Sequence, residues 1–411
     1  MHFDLPVGVD TARRYVTQPG KVAKHAFYPL IRFNIVTYKI KKDEFGLVGE
    51  RKIKTREISY AAHLDSHVYA YYASLISDAY EKKLKEFGLG SSVLAFRSLG
   101  ESNIDFAKRA FDEIRRRGSC IAIALDVKGF FDTLDHAILK RQWAAVLDSN
   151  SLPPDHFSVY KALTSFAWVD RSSLYGKLGI SENNPKASGL RVCNAETFRD
   201  VVRGSGLINT GGPKGIPQGT PISAIASNVY MLEFDKEISA LMARLGGYYL
   251  RYCDDILIIL DKDDDRKTEN AIYDLIKNNY KLEINSDKTE RSVFRKRANG
   301  QFSNRPLQYL GFTYDGQRVL IRSAALAKFS NRMKRGVRLA KLTAKSRNKS
   351  RSALGLGERG IFKRKLYTRY SMVGGRNFVT YGYRAAKTFS SESIRRQLRP
   401  LWNRLQREIE K

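Results

Sequence analysis

The chain has 411 residues, 43% of them hydrophobic, with 72 Lys plus Arg against 42 Asp plus Glu and a formal charge of +30. It is long enough for one large multi-part enzyme or two to three domains, it can bury a real core, and its charge points to a polyanion, nucleic acid first. Its apolar runs are too short to cross a bilayer, and Cys120, Cys193 and Cys253 lie too far apart for a zinc site or a disulfide framework, as expected in a reducing cytosol.

Residues 1–55 are mixed and basic, with Lys41-Lys42 and Arg51-Lys52-Ile53-Lys54. The pattern then predicts a long helix from Glu57 to Phe87, stopped by Gly88 and Gly90. His63 and His67 on it have zinc-like spacing but no matching third ligand, so they read as ordinary helix residues. A second helix is expected at about 103–117, with Ser102 as N-cap, Asp105 three residues on, and Gly118 closing it. Cys120 to Leu125 is a continuous apolar run ending in Asp126, the signature of a strand buried on both faces.

Residues 151–215 read as loop-rich, with Pro153-Pro154, Asn183-Asn184-Pro185 and Gly211-Gly212-Pro213. Thr220-Pro221 predicts the N-cap and first residue of a helix over about 221–244 that begins with small residues. Tyr248-Tyr249-Leu250 and Ile256 to Leu260 flank Tyr252-Cys253-Asp254-Asp255, which predicts a buried hairpin with two carboxylates at its tip. An acidic turn, Asp261 to Asp265, a helix at about 267–279 and a second hairpin from Tyr309 across Asp315-Gly316 follow.

Residues 321–411 carry 25 Lys plus Arg against 4 Asp plus Glu, interleaved with Tyr367, Tyr370, Phe378, Tyr381 and Tyr383. Basic residues alternating with aromatics suit a groove that follows phosphates and stacks on bases or sugars. The order is a fully helical opening, strands interrupted by helices, then a basic helical end: an α+β core sheet flanked by helical parts.

Adjacent Asp254 and Asp255 repel each other, and a fold tolerates such a pair when a cation neutralises it. Asp126, at the end of a buried strand, supplies a third carboxylate if the two elements are sheet neighbours. Such a cluster binds two divalent ions about 4 Å apart, magnesium being the natural choice for carboxylate and phosphate oxygens.

Six motifs in order resemble those of bacterial reverse transcriptases. Ala95-Phe96-Arg97 with Gly100 and Ser102-Asn103 is similar to their fingers motif, and Asp126-Val127-Lys128-Gly129-Phe130-Phe131-Asp132 to their first catalytic-aspartate motif. Gly215-Ile216-Pro217-Gln218-Gly219-Thr220-Pro221 resembles their Pro-Gln-Gly motif, and Tyr252-Cys253-Asp254-Asp255 their Tyr-x-Asp-Asp box, with Cys where Ala is commonest. Leu282-Glu283-Ile284-Asn285 with Lys288-Thr289, and Tyr309-Leu310-Gly311-Phe312, match the two that follow. The resemblance spans about residues 50–320.

That resemblance implies a right-hand polymerase fold, with fingers over 1–118, a palm of antiparallel sheet and packed helices over 119–317 with a fingers-type insertion at about 141–215, and a basic helical thumb over 318–411. It implies catalytic Asp126, Asp254 and Asp255, with Val127 joining them around two Mg2+ ions. Arg97, Lys128, Phe130, Phe131, Gln218, Gly219 and Lys288 would serve the nucleotide. Phe131 would be a steric gate against a ribose 2′-hydroxyl, and Lys288 would sit near the leaving phosphates. Arg364, Lys365, Arg369, Tyr370, Arg376 and Arg384 would hold nucleic acid.

Within the family, Tyr-Cys-Asp-Asp, Lys365 to Ser371 and Arg376-Asn377-Phe378 look most like class-two defence-associated enzymes. These imply a bacterial cytoplasmic enzyme that copies an associated noncoding RNA, with deoxynucleotides and an RNA–DNA duplex as partners. A retron or group II intron-like enzyme, and a catalytically inactive nucleic-acid-binding polymerase fold, remain alternatives.

Overall fold

The computed structural model describes residues 1–42, 48–261 and 265–411. The fold is α+β. Among the described residues its strands are β1 (Leu30–Lys42), β2 (Val48–Tyr60), β3 (Cys120–Asp126), β4 (Ala167–Asp170), β5 (Asn209–Thr210), β6 (Tyr248–Tyr252), β7 (Asp255–Leu260), β8 (Glu290–Arg297), β9 (Gly300–Ser303), β10 (Leu307–Tyr309), β11 (Phe312–Tyr314) and β12 (Val319–Ile321).

The central sheet has the order β6-β7-β3-β8-β9 and is antiparallel throughout. Its two inner strands explain their continuous apolar runs. Side chains alternate across a pleated strand, so Ile121, Ile123 and Leu125 of β3 with Ile256, Ile258 and Leu260 of β7 enter one core cluster. Cys120, Ala122, Leu257 and Ile259 enter a second on the opposite face. Helix His63–Glu86 packs in the first cluster, and helix Asn103–Arg117 packs in the second with the C-terminal helices. The second helix carries its expected capping box, Ser102 with Asp105, and ends at Gly118 with φ 73°.

The chain does not open fully helical. β1 and β2, 13 residues each, form a long antiparallel hairpin from Ile31↔Tyr60 outward. β4 adds to β1 in parallel at residues 30–32, and β5 completes a sheet of order β2-β1-β4-β5. The helix expected from Glu57 therefore starts at His63. Its first N–H groups are capped from outside the segment: those of His63 and Leu64 donate to the Asp4 carboxylate, both at 2.9 Å. A cap some sixty residues away leaves no local signal.

Residues 151–215 are more ordered than their Pro and Gly content predicts. Pro154 opens helix Pro154–Thr164, where a residue without an N–H is tolerated, and Arg171–Lys177 is a second helix. The helix expected over 221–244 begins at Ser223 and breaks at Met231 into Ser223–Tyr230 and Leu232–Arg244. The Thr220 hydroxyl bonds Ser223 Oγ at 2.6 Å, closing the turn before the helix instead of capping it. The acidic turn at Asp261 to Asp265 lies largely outside the described residues.

The C-terminal part is helical, as expected: Ser323–Ser352, Lys363–Tyr370, Phe378–Thr388, Glu392–Leu398 and Pro400–Glu410. Phe329, Met333 and Val337 bury the first half of the longest helix; its second half buries no residue. Among the described residues no helix is long and apolar enough to cross a membrane.

Candidate active site

The site grows from the tip of the β6–β7 hairpin. Cys253 and Asp254 form its two-residue turn, and Cys253 takes φ 59°, a left-handed conformation that costs an L-residue roughly 1–2 kcal/mol. A buried arginine sits behind it. Arg251 is 0% exposed; its Nε and Nη2 donate to the two oxygens of Asp235, each at 2.6 Å, and Asp235 is equally buried. Its Nη1 donates to Asn228 Oδ1 at 3.1 Å and to the Cys253 carbonyl at 3.2 Å. Asn228 in turn donates to the Ala95 carbonyl at 2.9 Å, and the Tyr249 hydroxyl donates to Asp235 Oδ1 at 2.5 Å. Burial opposes the charge on Arg251, but Asp235 more than offsets it and raises its pKa. The strained turn is thus held from below by a satisfied polar network.

β3 and β7 pair so that Asp126 lies directly opposite Asp255. The next residue, Val127, donates its N–H to the Asp254 carbonyl at 3.2 Å. Asn285 donates to the Asp126 carbonyl at 2.7 Å, and Lys128 to the Glu283 carbonyl at 2.8 Å, pinning the backbone on either side of Val127. Three carboxylate-bearing residues therefore meet at one end of the sheet. Desolvation, then the charges of Asp254 and Asp126, raise the Asp255 carboxyl to about 6; Lys288 and Arg322 pull the other way. One side of Asp255 stays open to solvent.

Lys288 reaches into this cluster and donates to Asp126 Oδ2 at 2.5 Å. Among the described residues no three Asp, Glu, His or Cys side chains are grouped closely enough to hold a metal ion. The donor chemistry still suits a hard divalent ion: carboxylate oxygens only, on pinned backbone, with a repulsion that a cation relieves.

The Gly215–Gly219 loop lies against the same region. Gly215 donates to the Leu134 carbonyl at 2.7 Å and Ile216 to that of Phe131 at 2.8 Å. Ser59 of β2 donates to the Gln218 carbonyl at 2.8 Å. Gly219 has φ +110°, and a Cβ there would lie 2.6 Å from the Ser59 carbonyl, so only glycine fits between loop and hairpin. Gln218 is half-buried and Gly219 exposed beside it. Lys128 is exposed and pairs with Glu283 at 3.3 Å.

Three expected residues sit differently. Phe130, expected at the nucleotide, is 3% exposed and belongs to the core, whereas Phe131 is half-buried with its ring 5.5 Å from that of Phe130. After the left-handed Gly129, φ 55°, the one-turn helix buries Phe130 in the core and leaves Phe131 partly exposed at the edge of the same cluster. Arg97, expected at the triphosphate, has a side chain only 4% exposed. It forks onto Glu81 with two bonds of 2.7 Å and donates to the Gly90 and Val93 carbonyls, which ties loop to helix. Tyr370, expected on nucleic acid, gives its hydroxyl to the Arg332 carbonyl at 3.1 Å and packs its ring against Gly336 and Phe329. Arg364, Lys365, Arg369, Arg376 and Arg384 are all exposed.

Sequence reasoning missed the Arg251–Asp235–Asn228 support, although a charged residue inside the apolar run Tyr-Tyr-Leu-Arg-Tyr was a signal. It also missed Arg322, whose charge reaches Asp255 from the junction of β12 with the long C-terminal helix, and the β1–β2 hairpin against the Gln218 loop.

The family described as reverse transcriptase (RNA-dependent DNA polymerase) matches residues 67–314, more than half of the chain. A retron Mx162 reverse transcriptase from Myxococcus xanthus is 37% identical over 94 residues, 22% of this chain and 19% of that protein, so the match spans about a fifth of its curated relative. Among solved structures, apo telomerase from Candida tropicalis truncated from its C-terminal domain superposes with a TM-score of 0.43 at 13% identity, over 75% of this chain and 59% of that one. Telomerase from Candida albicans with a TWJ fragment of telomeric RNA gives 0.41 at 10% identity, over 97% and 67% of the two chains.

Proposed function

The chain belongs to the reverse transcriptase (RNA-dependent DNA polymerase) family, and from that premise we propose that it copies an RNA template into DNA at Asp126, Asp254 and Asp255. The observation that carries the reading is the register of β3 on β7, which sets Asp126 opposite Asp255 with Asp254 in the adjoining turn. We assign two Mg2+ ions to these carboxylates and the Val127 carbonyl. Bound there, they would lower the pKa of the primer hydroxyl and neutralise the departing pyrophosphate.

The chain's own residues do the rest. Gln218 and Gly219 form one wall of the nucleotide pocket, Phe131 excludes the 2′-hydroxyl, and Lys128 supplies charge beside it. Lys288, free to leave Asp126 once cations neutralise that carboxylate, reaches the leaving phosphates. We assign residues 1–118 to fingers, 119–317 to palm with an insertion at about 141–215, and 318–411 to thumb. Helix Asn103–Arg117, which packs with the C-terminal helices, bridges the first and last of these. Arg364, Arg376 and Arg384, exposed in the last part, hold the RNA–DNA duplex. Extension of a primed RNA by deoxynucleotides with Mg2+, lost in Asp254→Ala/Asp255→Ala while RNA binding persists, is the expected result. Synthesis by that double variant refutes the site.

For the biological setting we favour a class-two defence-associated enzyme in the bacterial cytoplasm, with an associated noncoding RNA as template. The retron match over 94 residues supports a second reading, a retron-type enzyme. Sequencing the copurifying RNA and the DNA made in cells separates them: tandem complementary repeats of one RNA support the first, a single-copy product the second.

A further inference from the structure

A cavity of about 690 Å3 opens between the second half of helix Ser323–Ser352 and helix Lys363–Tyr370. That is within the ~300–1,000 Å3 of small-ligand sites. Its floor is apolar, from Ala340, Ile361 and the buried Leu366. Gly336 and Tyr370 close its inner end, where a Cβ on the glycine would collide with the tyrosine ring. The mouth carries Phe362, 65% exposed.

The cavity is built and not a slack gap. Asn348 clasps the returning loop by a reciprocal pair of bonds with the Arg359 backbone, both 3.0 Å, and Arg351 Nε donates to the Gly357 carbonyl at 2.7 Å. The charge around it has one sign. Arg347, Arg351, Arg359, Lys365 and Arg369 line it, and no Asp or Glu does. At 1.5 Å per residue its middle lies about 30 Å along the long helix from Ser323, whereas Arg322, at that helix's start, already acts on Asp255. It is therefore separate from the carboxylates.

We propose that this cavity takes an unpaired nucleotide of a nucleic-acid strand, its base against the apolar floor and Phe362, its flanking phosphates on the arginine and lysine rim. Phosphates need the cations, a base needs the apolar floor, and a half-open cleft of this size admits one unstacked nucleotide but not a duplex. The inference rests on the nucleic-acid reading of the protein for its partner class, but not on catalysis, so binding is measured apart from synthesis.

The experiment is fluorescence anisotropy of the full-length protein with a single-stranded 12-mer as RNA and as DNA, with the same strand carrying abasic positions, and with a duplex. Loss of base stacking predicts about tenfold weaker binding of the abasic strand. Ala344→Phe, which fills the cavity, removes that difference, and Arg347→Gln weakens the intact strand while reducing the salt slope. The RNA and DNA arms identify which strand is held. Equal binding of intact and abasic strands, or an unaltered difference in Ala344→Phe, overturns the proposal. Should Ala344→Phe lose its helical circular dichroism, Arg347→Gln on the exposed rim decides, and an unchanged affinity and salt slope refutes it. Absence of DNA synthesis with this binding intact counts against the polymerase reading alone.

Discussion

Replacing Arg251 tests how the hairpin tip is held. Arg251→Met removes a guanidinium that is 0% exposed and leaves Asp235, equally buried, without its cation. Breaking one side of such a pair costs about 3–5 kcal/mol, a large part of the ~5–15 kcal/mol that holds a typical domain. The single variant should therefore melt far below the parent or fail to accumulate. Replacing the whole pair with apolar residues is often neutral or stabilising. Arg251→Met with Asp235→Leu, and Tyr249→Phe so that no hydroxyl loses its acceptor, should recover most of that loss. The triple variant still lacks the donor to Asn228 Oδ1 and to the Cys253 carbonyl, 3.1 and 3.2 Å away in the parent. A turn with φ 59° then has less holding it, and Asp254 and Asp255 lose their placement. A displacement of about 1 Å costs on the order of 100-fold. Melting followed by circular dichroism, template binding and single-turnover extension should show a stable, binding-competent protein with kcat down ten- to a hundred-fold. Full kcat in a stable triple variant refutes the positioning role; a triple variant as unstable as the single one refutes the charge argument.

The remaining predictions concern separate groups. Asp255 has its folded pKa raised to about 6 from 3.8, so the folded state binds the extra proton between those values and stability falls as pH rises through that window. Asp255→Asn should melt higher than the parent at pH 7 without divalent ions and lose that advantage toward pH 4; an equal gain at both pH values counts against the carboxylate cluster. Phe131→Ala should admit ribonucleotides with little loss of stability, whereas Phe130→Ala should cost about 3–5 kcal/mol and leave sugar selection unchanged; the reverse pattern would assign the gate to the other ring. Arg97→Met should lower stability through the unpaired Glu81 without selectively raising the KM for deoxynucleotides, and a KM effect in a stable variant would return Arg97 to the nucleotide. Neutralising Arg364, Arg376 and Arg384 should lower the slope of log affinity against log salt by about 0.7–0.9 for each phosphate no longer neutralised, and an unaltered slope would make that face mere solvated surface.

Sequence alone determined what depends on neighbours in the chain. The capping box of Ser102 and Asp105, the doubly buried β3 and the β6–β7 hairpin are local patterns of period, cap and turn, and each is in the structure. The order of the motifs sufficed for the family, and it named the aspartates that we propose as catalytic. Tertiary structure alone decided the rest, because it depends on pairings between distant segments. β1 joins β4 across more than a hundred residues, and Asp4 caps a helix that begins at His63. That Arg97 pairs with Glu81, and that Phe130 is buried where Phe131 is only half-buried, follows from which face packing gives each side chain. The register that sets Asp126 against Asp255 belongs to the same class. A shift of one residue would carry every side chain of the strand to the other face, and the pairing that brings the carboxylates together is held by bonds between distant segments, Val127 to the Asp254 carbonyl and Asn285 to that of Asp126.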